Sequence, residues 1–96
     1  MASIHVNGID LYYEVHGSGM PLVMLHGNGE DHTTFSTLCA ALQDRFQIYL
    51  FDTRGHGKST PVSEYHYSDM AQDMTEALIQ LFDGPIDLLG FSDGGI

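Results

Sequence analysis

The segment Pro21-Leu22-Val23-Met24-Leu25 is apolar at every position, and it constrains the fold more than any other stretch of the chain. A strand with one wet face alternates apolar and polar residues; an unbroken apolar run suits a strand covered on both faces, as in a parallel sheet. Two further strands are expected at Phe46 to Phe51, ending at Asp52, and at Ile86-Asp87-Leu88-Leu89. Between the first two, Phe35, Leu38, Cys39 and Leu42 recur at helical spacing, with Thr33 or Thr34 as the cap. Between the last two, Met70, Met74, Ala77, Leu78 and Leu81 form the apolar face of a helix. That helix is expected to run from an N-cap at Ser68 to about Phe82, with Asp69 and Asp73 at its positive end and Gly84-Pro85 stopping it. Upstream, Ile4, Val6, Ile9, Leu11, Tyr13 and Val15 flank Asn7-Gly8, the signature of a β-hairpin. The expected fold is therefore α/β: an N-terminal β-hairpin, then β-α-β-α-β in a parallel sheet with right-handed crossovers. Residues 53–64, rich in Gly, Ser, Thr and Pro, form a loop, and neither a repeat nor a linker divides residues 1–96.

Charge narrows the partners. Three basic residues against thirteen acidic ones give a net charge of −10, which repels phosphate and so disfavours nucleic acid and anionic membrane. The single cysteine, Cys39, has no partner for an internal disulfide and sits on the buried side of a helix, where an inert thiol is expected. No leader-like segment opens the chain and no apolar run reaches the length of a membrane span, so the cytoplasm is the expected location by elimination. The six histidines, His5, His16, His26, His32, His56 and His66, lack metal-ligand spacing, and neither a metal nor a cofactor is expected.

Directly after the last strand, Gly90-Phe91-Ser92-Asp93-Gly94 matches G-x-S-x-G. A serine on a sharp strand-to-helix turn projects its Oγ above the sheet, and glycines two residues either side avoid a clash in so tight a turn. A serine nucleophile also needs N–H groups aimed at the developing oxyanion. Asp93, the residue after the serine, is one expected donor. The other is expected from the loop after the first parallel strand, Leu25-His26-Gly27-Asn28-Gly29, where His26, Gly27 and Gly29 form a substrate loop and Asn28 supplies the amide. Gly57-Lys58-Ser59 mimics the end of a P-loop, but Asp52 occupies the place of its first glycine and would repel phosphate, so nucleotide binding is excluded.

Together, His26-Gly27-Asn28-Gly29, Asp52-Thr53-Arg54-Gly55-His56-Gly57-Lys58-Ser59 and Gly90-Phe91-Ser92-Asp93-Gly94-Gly95 resemble three successive signatures of the α/β-hydrolase superfamily. The resemblance covers the whole chain and implies the N-terminal part of one such domain, ending at the nucleophile elbow. It places the His26 loop and the Ser92 turn together at the carboxyl edge of the sheet, with Asp52 and Arg54 bonding backbone groups of neighbouring loops in an architectural role. It implies a serine hydrolase acting on a small ester, lactone or related acyl compound through an acyl-enzyme. Serine rather than aspartate at the elbow argues against the dehalogenase and epoxide-hydrolase branches, while carbon–carbon-bond hydrolases and perhydrolase-type haloperoxidases remain open.

In this superfamily the acid and the histidine follow the nucleophile. Only Asp93, Gly94, Gly95 and Ile96 follow Ser92, so the residues as they stand are expected to be catalytically incomplete. The rival reading is a non-catalytic α/β-hydrolase-like binding domain or an inactive fragment. The last strand would present an apolar edge, and self-association through that edge is the expected protein contact when these residues are expressed alone.

Overall fold

A computed structural model describes residues 2–27, 29–64, 66–84 and 86–90. The chain opens with β1 (Ala2–Val6) and β2 (Ile9–His16), continues through β3 (Met20–Leu25) and a short 3-10 turn (His32–Phe35) into α1 (Ser36–Leu42), then β4 (Phe46–Phe51), α2 (Tyr67–Leu81) and β5 (Asp87–Gly90). β1 and β2 pair antiparallel across Asn7-Gly8, whose φ values of 48° and 80° are the positive angles that an Asn-Gly hairpin turn accepts.

The five strands form one sheet in the order β1-β2-β4-β3-β5. β4 and β5 run parallel to β3 on its two sides, and β2 joins the hairpin to β4 antiparallel. The expected parallel β-α-β-α-β unit is present, and the hairpin extends it into a mixed sheet.

The unbroken run in β3 is explained by its surroundings. Val23 and Leu25 pack with Val6, Ile9, Leu11, Phe51 and the α2 residues Met74 and Ala77. Leu22 and Met24 pack with Ile48, Leu50 and the α1-side residues Phe35 and Cys39. Each face of β3 thus has its own helix, and Val23 and Met24 have no exposed surface. Burying a side chain of this size contributes about 1.5–3 kcal/mol.

Four local expectations are corrected. The first turn before α1 is capped by Asp31, not by Thr33 or Thr34: its carboxylate accepts the Thr33 N–H at 2.8 Å. The Thr33 hydroxyl, donating to the same oxygen at 2.5 Å, heads the bonds that hold the Asp31 carboxyl below its ordinary value. Leu38 does not join the buried face of α1; it is 39% exposed. α2 begins one residue before Ser68, with His66 in extended backbone as its cap residue. Asp73, expected to favour the helix dipole, instead faces inward and is buried. Cys39 is buried as expected, and burial pushes its thiol pKa up.

Candidate active site

Because β4 and β5 flank β3, the chain leaves the carboxyl end of β3 towards one neighbour and returns to the other from the opposite face. That is the topological switch point, where open α/β sheets form a ligand crevice. The register fixes what meets there: Leu25, the last residue of β3, is paired with Gly90, the last residue of β5 and the first of G-x-S-x-G. The loop carrying His26, Gly27 and Gly29 therefore starts beside the point from which the serine turn departs. Ser92 and Asp93, and Asn28 within the first loop, lie outside the described residues.

The backbone of the first loop is held at both ends. The Gly27 N–H donates to the Glu30 carboxylate at 2.7 Å, and the Glu30 N–H returns to the Gly27 carbonyl at 3.2 Å. The Gly29 N–H donates to Nε2 of His56 at 3.0 Å. The side chain of His26 does not open towards a crevice. It is 2% exposed, with Nδ1 donating to the Gly27 carbonyl at 2.7 Å and Nε2 accepting the Thr53 N–H at 3.0 Å. Burial lowers its pKa, consistent with a neutral ring whose tautomer is set by these two partners.

Asp52 fulfils its expected architectural role. It is fully buried, and its carboxylate accepts the backbone N–H of His32 at 2.6 Å and of Lys58 at 2.9 Å. It also meets Nδ1 of His32 at 2.8 Å, a contact that residues twenty positions apart give no sequence signal for. The partner of Arg54 was equally invisible: its guanidinium grips the Asp73 carboxylate, where a backbone group had been expected. Ser59 closes the loop, accepting the Tyr12 N–H at 2.9 Å and donating to the Asp52 carbonyl at 2.5 Å.

Asp31, His32 and Asp52 bring possible metal-ligand atoms within 4.8 Å of one another. Their oxygens are already engaged by the Thr33, His32 and Lys58 donors, so the donor set fits internal bonding better than an ion. A cleft of about 440 Å³ lies elsewhere, against α1, lined in part by Glu14, His16, His32 and Gln43 and touching none of the substrate-loop residues.

The family model for the alpha/beta hydrolase fold matches residues 20–96. The chain belongs to that family. A soluble epoxide hydrolase of Corynebacterium sp. is 32% identical over 91 residues, covering 94% of this chain and 32% of its own length. A thermophilic esterase from Thermogutta terrifontis superposes with a TM-score of 0.84 at 31% identity, covering 97% of this chain and 35% of the esterase. An epoxide hydrolase from Vigna radiata reaches a TM-score of 0.89 at 23% identity, covering 97% of this chain and 32% of its own, a likeness of fold alone. The chain thus spans about a third of the length of these relatives. In this α/β-hydrolase chain the described loops after β3 and β4 are linked by hydrogen bonds from Thr53 to His26 and from Gly29 to His56. Among the described residues, no helix is long and apolar enough to cross a membrane.

Proposed function

We propose that this chain carries the nucleophile and both oxyanion donors of a serine hydrolase acting on small esters, lactones or related acyl compounds. The observation that supports this most is the pairing of Leu25 with Gly90, because it starts the glycine loop and the serine turn side by side. Ser92 attacks the acyl carbonyl, the leaving group departs to give an acyl-enzyme, and water hydrolyses that ester. The amides of Asn28 and Asp93 stabilise the oxyanion. The amides of Gly27 and Gly29, on either side of Asn28 in the sequence, are bonded to Glu30 and His56.

Neither His26 nor His56 serves as the general base, since Nε2 of each accepts a backbone N–H. The base and its acid come from outside these residues, following the order nucleophile, acid, histidine. The relatives named epoxide hydrolases share the scaffold, but the serine at the elbow favours acyl transfer here. Location in the cytoplasm belongs to the same reading.

The test is hydrolysis of p-nitrophenyl acetate by the complete gene product. Ser92→Ala is expected to lower kcat by roughly 10⁴-fold or more, and a fluorophosphonate is expected to label Ser92. Turnover unchanged in Ser92→Ala would remove the serine from its role. A wild-type protein that hydrolyses no ester but binds one would point to the non-catalytic alternative.

A further inference from the structure

The geometry points to His56 as a positioning residue for the oxyanion loop, holding its backbone through an imidazole-to-amide bond; this rests on the serine-hydrolase reading above. Gly29 stands in the left-handed region at φ 80° and is exposed, and a Cβ built on it would meet nothing within 4 Å beyond its chain neighbours. Packing therefore does not fix this end of the loop. Besides the Gly27–Glu30 bonds that close the turn, its own backbone N–H is restrained by the 3.0 Å bond to Nε2 of His56.

His56 is itself held as an acceptor. Its Nδ1 donates to the Arg54 carbonyl at 2.9 Å, which leaves Nε2 with its lone pair facing Gly29. The Thr53 hydroxyl lies 3.3 Å from the same Nδ1. The ring packs tilted against the titratable ring of His26, centroids 5.0 Å apart, and Arg54 is anchored in turn on Asp73. The line Asp73, Arg54, His56, Gly29 thus ties the loop after β3 to α2. His26 bonds in the opposite sense, from the loop after β3 to the Thr53 amide after β4. Each loop lends the other an imidazole acceptor. His26 is buried and serves the fold; His56 is half-buried and bonds the residue next to the proposed donor Asn28.

An oxyanion donor is effective only when it is aimed before the reaction, and losing one outright lowers kcat by roughly 10²–10³-fold. Releasing Gly29 misaims the donor without removing it. In the complete gene product with p-nitrophenyl acetate, His56→Phe, which keeps a ring and loses the acceptor, is expected to lower kcat by roughly 10- to 100-fold with KM within about threefold. His56→Gln, whose carbonyl oxygen can accept the Gly29 N–H, is expected to recover kcat to within about fivefold of wild type. Wild-type kcat in His56→Phe, or equal losses in both variants, would overturn the inference. Ser92→Ala run in parallel separates the two readings: if it abolishes turnover while His56→Phe does not, only the role of His56 fails. If His56→Phe does not fold, amide NMR of the wild type decides. A nitrogen–nitrogen coupling across the hydrogen bond from the Gly29 amide to Nε2 of His56 is expected, and its absence with both signals assigned would overturn the assignment.

Discussion

Arg54, in the loop after β4, forks onto Asp73 on the inward face of α2, with Nε 2.5 Å from Oδ2 and Nη2 2.8 Å from Oδ1. The Asn7 side chain of the hairpin turn adds a third donor to the same carboxylate at 3.0 Å. Two separate elements thus converge on one α2 carboxylate that is 1% exposed. Removing one partner strands a charge in the interior, which costs about 3–5 kcal/mol, whereas replacing both by apolar groups costs far less. Asp73→Ala is therefore expected to lower the unfolding free energy by about 3–5 kcal/mol in urea titrations, and the pair Arg54→Met with Asp73→Leu by clearly less. Equal losses in the two proteins would show that the ion pair is not what couples the loop to α2.

Gly57 should tolerate no side chain. Its φ is 50°, and a Cβ there would lie 2.3 Å from Oδ2 and 2.4 Å from Cγ of Asp52. Asp52 has no room to yield, because its oxygens accept the His32 and Lys58 amides. Overpacking costs about 1–3 kcal/mol and left-handed backbone about 1–2 more, so Gly57→Ala should destabilise by about 2–5 kcal/mol. Gly84→Ala is the control: nothing lies within 4 Å of its added Cβ, and its melting temperature should hardly change.

His26 should make the fold sensitive to acid. Burial lowers its pKa from the ordinary 6.5, so the folded state prefers the neutral ring. A group with a depressed folded pKa contributes stability that is complete above the unfolded value and is lost as pH falls through the folded value. Stability should thus decline below pH 6.5, as protonation of Nε2 turns the acceptor of the Thr53 N–H into a donor. His26→Gln should be less stable at neutral pH and show a flatter decline in that window. A decline of the same size in wild type and variant would assign it to other groups.

Tyr12 gives the opposite slope at high pH. Its hydroxyl donates to the Glu14 carboxylate, and that bond, followed by burial, raises its pKa to about 12. A raised folded pKa means a contribution fully present below the ordinary value of 10.0 and lost as pH climbs towards 12. The same bond, then that of His16, lowers the Glu14 pKa below 4.5, so the Glu14 contribution is present above 4.5 and lost as pH falls through its folded value. Absorbance titration of the tyrosines should show a late component that Tyr12→Phe removes. If the late component survives in Tyr12→Phe, it belongs to another ring.

The layout of the sheet was legible because the apolar run Leu22 to Leu25 demands cover on both faces, and Asn7-Gly8 permits only a tight hairpin turn. The meeting of the His26 loop with the serine turn was expected from the superfamily resemblance, and the Leu25–Gly90 pairing agrees with it. The sequence was mute on the polar contacts between loops. Asp73 sits at a helical position where a carboxylate normally favours the dipole, and only the arrival of Arg54 from nineteen residues away turns it inward. His26 was expected in the substrate loop and His56 only as part of a superfamily signature, since alternation and spacing report burial and not which nitrogen accepts which amide. Asp31 displaced the threonine cap because its carboxylate, one turn earlier, reaches the Thr33 amide from extended backbone.

Edge pairing at β5 gives the last prediction. Among the described strands β5 pairs only with β3, so its other edge is open, and Leu88 and Leu89 are 54% and 36% exposed. Open apolar edges template pairing with further strands unless charge interrupts them. The radius of gyration, 12.4 Å, is about that of a compact domain of this length, so association should proceed through the edge and not through failure to collapse. A polypeptide of these 96 residues alone should sediment as a concentration-dependent mixture of monomer and larger species. Leu88→Lys, placing a charge on the open edge, should shift that mixture towards monomer. A single compact monomer at every concentration would show that the open edge of β5 does not recruit a second strand. Association undiminished by Leu88→Lys would place the contact on another surface.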